Sequence, residues 1–376
     1  MASHPLRELN TFGQSVWLDN LSRPLIRSGE LKRLVEEDGI SGVTSNPAIF
    51  NKAMTGGDAY DEAMTALARD GRSTTAIYEE LAMTDIREAC DVLRPVYDRT
   101  DGGDGFVSLE VSPHLAADTQ GTIDEARRLW RDVDRRNLMI KIPGTPEGVP
   151  AIAACLEQGI SVNVTLLFSL QAHEAVIDAH MQALEARAAR GEELRSVSSV
   201  ASFFLSRIDV KLDRQLDVLV ADGRQADKAR SLLGQVAVAN AKLAYRLWQG
   251  KMDTDRWRAL AAAGARVQRP LWASTSTKNP DYPDVMYVEP LIGEHTVNTL
   301  PDETIDAFRD HGKAAASITQ GVDQAQAIMA DLAGLGIDIH QVTDELVREG
   351  IQKFVTPFDE LLAALNAKRE SLVTAG

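Results

Sequence analysis

Five apolar runs in this chain carry a polar or charged residue at or near their carboxyl end, and that repetition constrains the fold more than any single motif does. They are Val16-Trp-Leu-Asp19, Gly42-Val-Thr-Ser-Asn-Pro47, Val107-Ser-Leu-Glu110, Asn137-Leu-Met-Ile-Lys-Ile-Pro-Gly-Thr145 and Ile160-Ser-Val-Asn-Val-Thr165. Short apolar runs bounded by turn signals read as strands buried on both faces, the signature of a parallel sheet. In a parallel barrel the carboxyl ends of all strands meet at one face, so polar residues far apart in sequence converge there on one pocket.

Eight segments read as such strands: 15–19, 41–45, 106–112, 138–142, 160–166, 197–204, 270–275 and 285–292. Stretches with helical spacing, such as 122–133 and 149–157, lie between most of them, which predicts an α/β fold of the (β/α)8 TIM-barrel type. Two long connections, between strands two and three and between six and seven, are expected to be helical insertions. Only residues 276–284, with Pro280 and Pro283, join strands seven and eight, too few for more than a turn or two of helix. After Pro301 a helical tail is expected to residue 376, interrupted at Gly334-Leu-Gly336 and Pro357 and packed outside the barrel. With no internal repeat or long linker, residues 1–376 read as one domain.

A formal net charge of -15 argues against nucleic acid or an anionic membrane as partner, because both need a positive face. An anionic small substrate must then find its own local cations. Met1-Ala-Ser-His-Pro-Leu-Arg-Glu8 has no apolar signal core, and no run approaches the roughly 18 apolar residues of a membrane span, so a cytoplasmic protein is expected. Cys90 and Cys155 read as buried, reduced thiols, and the seven histidines show no metal-ligand spacing. Asp101-Gly-Gly-Asp-Gly105 is an acidic turn, not a phosphate loop. No metal and no cofactor is implied.

Lys141 stands out. Met139, Ile140 and Ile142 surround it with apolar bulk, and desolvation favours the free, nucleophilic amine over the ammonium ion. Such an amine forms a Schiff base with a ketone. Set against this, a lone lysine at a strand end more often reaches out to solvent or pairs with an acid. Its companions decide between the two. Thr44-Ser-Asn-Pro47, Leu138-Met-Ile-Lys-Ile-Pro143 and Gly159-Ile-Ser-Val-Asn-Val-Thr-Leu-Leu-Phe-Ser169 resemble segments of the bacterial-type transaldolases, in the same order and at the same separation. The resemblance runs from about residue 10 to about residue 310.

That resemblance implies a class I, Schiff-base dihydroxyacetone transferase of the pentose phosphate pathway, acting between sedoheptulose 7-phosphate or fructose 6-phosphate and glyceraldehyde 3-phosphate or erythrose 4-phosphate. It assigns Lys141 as the imine-forming residue, Asp19 as the acid and base at the donor C4 hydroxyl, and Glu110 with Thr165 as holders of a water beside the lysine. Asn46, Asn163 and Thr44 match positions at the substrate hydroxyls, and Ser202 and Phe204 fall on pocket positions. Arg207, Ser276 and Lys278 are the phosphate ligands by the same match. Lys278 departs from the arginine of many relatives, giving a point charge in place of a fork, and Ser274 is an alternative to Ser276 in that loop. Blander roles stay open on local grounds: Asp19 and Asn46 suit helix capping, and Arg207 suits an ion pair with a neighbouring acid. Two other functions also remain, a lyase that releases free dihydroxyacetone and a silent sugar-phosphate binder. Glu110 favours the transferase, because the cleaving relatives carry glutamine there. Monomer and homodimer are both compatible with the chain.

Overall fold

A computed structural model describes residues 5–223 and 225–374; the first four residues, on which half of the amino-terminal reading rests, lie outside it. Eight strands close into a parallel barrel in sequence order: β1 Gln14–Leu18, β2 Ile40–Val43, β3 Phe106–Glu110, β4 Leu138–Pro143, β5 Val162–Leu167, β6 Ser199–Phe204, β7 Gln268–Ala273 and β8 Thr296–Leu300. Closure comes from β8 pairing with β1 along its whole length, Gln14 beside Thr296 through Leu18 beside Leu300. Strand residues are buried almost throughout, as expected of a sheet with helices on its outer face and side chains filling its lumen.

Seven of the eight expected strands are present within a few residues. The eighth is not: 285–292 forms turns and a short 3-10 segment, Glu289–Leu291, and the strand lies at Thr296–Leu300. Val285, Tyr287, Val288, Leu291 and Ile292 are apolar because they are buried against the barrel without extending it. Side chains pin this segment in place. Tyr287 donates to Asp209 at 2.8 Å, Asn298 donates to the Tyr287 carbonyl at 3.1 Å, and Gln14 and Trp272 donate to the Leu291 carbonyl at 2.8 and 3.1 Å. The implausibly short joint between the last two strands therefore disappears, replaced by a long loop over residues 274–295.

Both insertions are helical. The first holds Pro47–Thr55, Asp61–Arg69 and Thr74–Arg99, and the second holds Ser206–Ala221, Ala226–Leu232, Val236–Met252 and Asp255–Ala262. The tail departs from expectation in two ways. Pro357 does not interrupt it, since Ile339–Thr374 is continuous through that residue. This helix also reaches over the carboxyl ends of the strands, against Leu166 of β5, and does not stay outside the barrel.

The amino ends of the strands are plugged by a polar knot. Asp104, preceding β3, accepts from Trp17 Nε1 at 2.8 Å and from the Ser15 hydroxyl, with Arg269 3.7 Å away. The Trp17 ring lies flat over Gly42 on β2, where a Cβ would come within 2.4 Å of it. Gly42→Ala is expected to displace the ring and its bond to Asp104, costing about 1–3 kcal/mol. A urea midpoint equal to that of the parent would show that the ring gives way freely.

Candidate active site

The parallel ladder places Glu110 beside Lys141 and Lys141 beside Asn163 on three adjacent strands. Two hydrogen bonds skip a strand and so must cross the lumen: Lys141 Nζ donates to the Ser45 carbonyl at 3.1 Å, and Asn163 Nδ2 donates to Ser108 Oγ at 2.9 Å. Inward-facing polar groups thus form a row at the carboxyl end of the barrel.

Lys141 is 5% exposed, and its nearest carboxylate is Glu110 at 3.5 Å. That separation makes an ion pair but not a strong hydrogen bond. Neither Glu110 oxygen accepts a hydrogen bond within the described residues, and buried Thr165 Oγ1 has no partner either. Burial pushes the Glu110 carboxyl up to about 7, although the charges of Lys141 and Arg207 oppose the shift. A buried polar group without a partner costs about 1–3 kcal/mol, and such groups concentrate where a ligand or reacting atom supplies the missing bond.

Asp19 follows β1 directly and is half-buried. It does not cap the helix after it, a role taken by Ser22. Instead its Oδ1 accepts from Thr44 Oγ1 at 3.0 Å, and Thr44 lies 2.9 Å from Thr299 on β8. Burial raises the Asp19 carboxyl above its ordinary value, partly offset by Lys141, the Thr44 hydroxyl and Arg207. Asn46 does cap: its Oδ1 accepts from the Ile49 amide at 3.0 Å, with Pro47 at the first helical position. Its Nδ2 is left to donate into the site.

These groups surround a cavity of about 80 Å³. Asp19, Thr44 and Asn46 reach it from the first two strand ends, Lys141 and Thr165 from the fourth and fifth. Ser202, Phe204 and Arg207 come from the sixth. Arg207 stacks on Phe204, its Cζ 4.9 Å from the ring centroid, and makes no ion pair among the described residues. Its buried Nη1 has no hydrogen-bond partner, and burial lowers its guanidinium below its ordinary value. Arginine remains charged under any such shift.

Four expected residues are not on this wall. Glu110 lines a neighbouring cavity of about 270 Å³, between the end of β3 and the helix Thr74–Arg99. Asn163 is fully buried behind the wall, its amide held at both ends by Ser108 and by Ser202, which donates at 2.7 Å. Ser276 and Lys278 bond to each other away from the cavity, and Lys278 is exposed. Ser274 is the loop residue that lines it, at φ 55 and 2.8 Å from the Ser206 hydroxyl.

Sequence reasoning missed Thr299 because β8 was misplaced, and missed Phe354, whose helix carries no sequence signal for a pocket. A larger hollow of about 950 Å³, lined by Arg7, Gly39 and Asp104 among others, sits at the amino ends of β2 and β3 and holds none of these groups. Among the described residues no cluster of metal-ligating side chains occurs, and no helix is long and apolar enough to cross a membrane.

An eight-stranded parallel barrel thus carries a buried lysine and two carboxyl groups at its carboxyl face, an arrangement compatible with lysine-dependent aldolase-type chemistry. Comparison with known proteins narrows it. The family model "Transaldolase/Fructose-6-phosphate aldolase" matches residues 16–365. Transaldolase 2 of Nostoc sp. (strain PCC 7120) is 51% identical over 374 residues, covering 98% of each chain. The transaldolase of Trichodesmium erythraeum is 48% identical over 99% of each, and that of Thiobacillus denitrificans 49% identical over 96% of this chain and 99% of its own. The chain belongs to the transaldolase/fructose-6-phosphate aldolase family.

Because the Glu110 value is raised, the folded protein holds a proton that the unfolded chain releases above the ordinary carboxylate range. Stability from this group therefore falls as pH climbs through about 7. Infrared difference titration is expected to show carboxyl signal near neutrality from both Glu110 and Asp209, which burial also raises to about 7, with the Glu110 share absent from Glu110→Gln. Carboxyls that all titrate in the ordinary range would contradict it.

Proposed function

We propose that this protein is a transaldolase of the pentose phosphate pathway, moving a three-carbon ketol unit between sugar phosphates through an imine at Lys141. The observation that carries the reading is the buried Lys141 amine, 3.5 Å from Glu110, in a cavity shared with Asp19 and Arg207.

In this reading the Lys141 amine attacks C2 of fructose 6-phosphate or sedoheptulose 7-phosphate. Glu110 and Thr165 hold the water that leaves and later returns. A carboxyl titrating at about 7 can give and take a proton at neutral pH, as both steps need. The protonated imine then draws in the electron pair of the C3–C4 bond as Asp19 takes the C4 hydroxyl proton. The first aldehyde leaves, the enamine adds to the carbonyl carbon of a second, and Asp19 returns the proton to the new hydroxyl.

Asn46, Thr44 and Ser202 present donors and acceptors to the ketol hydroxyls. Asn163 is locked by Ser108 and Ser202 into one orientation for the same task. Arg207 supplies the cation for the substrate phosphate, with the Ser274–Lys278 loop completing the clamp. Ser274 stands nearer this task than Ser276, since it shares the cavity with Arg207. A cytoplasmic, single-domain enzyme, monomeric or homodimeric, completes the proposal.

Release of glyceraldehyde 3-phosphate from fructose 6-phosphate, followed by coupled NADH oxidation, is expected only with erythrose 4-phosphate present. Comparable release without acceptor would make the protein a lyase, and none in either case would leave a sugar-phosphate binder. Lys141→Met is expected to abolish borohydride trapping of fructose 6-phosphate, and trapping that persisted would remove Lys141 from the role. Asp19→Ala is expected to trap normally but turn over about 10²–10⁴-fold more slowly, as loss of a positioned acid–base group predicts. Full turnover would place the proton transfer elsewhere.

A further inference from the structure

The wall opposite Lys141 comes from the far end of the chain. Phe354, on the helix Ile339–Thr374, is 4% exposed and lines the cavity. Its ring centroid lies 5.4 Å from Lys141 Nζ and 5.8 Å from Arg207 Cζ. One apolar ring thus covers both the amine that bonds the substrate and the cation assigned to its phosphate.

The helix is seated for this position. Gly350, one turn before Phe354, lies against β5, where a Cβ would come within 2.8 Å of Leu166 Cδ2 and 3.4 Å of Arg207 Nη1. Leu166 directly follows Thr165 and holds a left-handed φ of 60, a conformation leucine rarely adopts. Glu345 and Glu349, on the same helix, pair with Lys211 at 2.8 and 2.5 Å. One turn after Phe354, Phe358 meets Tyr78 edge-on at 5.3 Å.

The space below the ring is about 80 Å³. That is room for two or three waters at about 30 Å³ each, while pockets that hold drug-sized ligands run to about 300 Å³ or more. A sugar phosphate exceeds that space, and the Phe354 ring borders the part of it beside Lys141 and Arg207. After the first aldehyde departs, the fragment left on Lys141 has three carbons and no phosphate, and it lies beside the ring, whose centroid is 5.4 Å from Lys141 Nζ.

That fragment is an enamine with two fates. In transfer its C3 attacks the acceptor carbonyl carbon, and the aldehyde oxygen takes the proton from Asp19. In hydrolysis C3 takes a proton from solvent, water adds at C2, and the C2–N bond breaks. Free dihydroxyacetone and the Lys141 amine result, for a net consumption of one water. Closing an active site suppresses this kind of side reaction by expelling water.

We propose that Phe354 is the water-excluding roof of the site and sets the ratio of transfer to hydrolysis. The inference rests on the Schiff-base reading above. For wild type, Phe354→Ala and Gly350→Ala, the test compares release of free dihydroxyacetone from fructose 6-phosphate without acceptor against transfer to erythrose 4-phosphate, with borohydride trapping as control. Phe354→Ala is expected to raise the hydrolysis-to-transfer ratio by about tenfold or more, the scale on which losing one apolar contact alters discrimination. Gly350→Ala, whose added Cβ forces the Leu166 side chain or the helix to shift while leaving the ring intact, is expected to move the ratio the same way but by less. An unchanged ratio in a variant that still traps substrate overturns the proposal. Loss of trapping in both variants overturns it too, because the helix would then be scaffold for the lysine and not a cover. Failure of wild type to trap or transfer would instead refute the Schiff-base reading.

Discussion

The parallel ladder joining β3, β4 and β5 fixes Glu110, Lys141 and Asn163 in one row, and the site is arranged around that row. Each neighbour lies one strand away, so relative positions are set by backbone hydrogen bonds and not by flexible side chains. The row is costly. It places an amine and a carboxylate where water is largely excluded, and the pair meets only at 3.5 Å. Two buried charges that are loosely paired gain less from each other than they lose on desolvation. The raised value of Glu110 expresses that imbalance, and the same imbalance leaves its proton mobile near neutral pH.

Barrel closure supplies the second half of the site. Pairing of β8 with β1 brings Thr299 to Thr44, and Thr44 in turn orients Asp19 toward the cavity. Asp19 and Arg207 then flank Lys141 from strands that approach from other directions. A (β/α)8 barrel does this without special geometry, because every strand ends at the same face. The covering ring of Phe354 is of a different origin: it depends on the docking of a helix that belongs to no strand–helix repeat.

The strands of the row were legible because their pattern is extreme: a charged residue inside a β-branched, apolar run has few structural explanations. β8 was not legible, for a related reason. Thr296-Val-Asn-Thr-Leu300 reads as polar, yet Thr296 and Asn298 are fully buried and donate to the carbonyls of Gly293 and Tyr287, while Asn298 Oδ1 has no partner among the described residues. The apolar run at 285–292 took its place in the reading, since apolar content reports burial and cannot tell a strand from an ordered loop beneath one. Asn46 illustrates a milder ambiguity. Its capping bond and its place on the cavity wall coexist, because an amide has one end for each.

By itself the sequence determined the barrel class and the polar residues at most strand ends, Lys141 among them, because period and residue type are local properties of a run, while the resemblance to transaldolases singled out which of them belong to the site. The tertiary structure alone decided three other things. Ser274, not Ser276, lines the cavity with Arg207; Glu110 lines a neighbouring cavity; and a phenylalanine more than two hundred residues downstream of Lys141 lines the cavity beside that lysine. The first and third depend on where a loop or helix packs against the barrel, and the second on the space left between the end of β3 and the helix Thr74–Arg99. That packing is a sum of many weak, long-range contacts, which leaves no periodic trace along the chain.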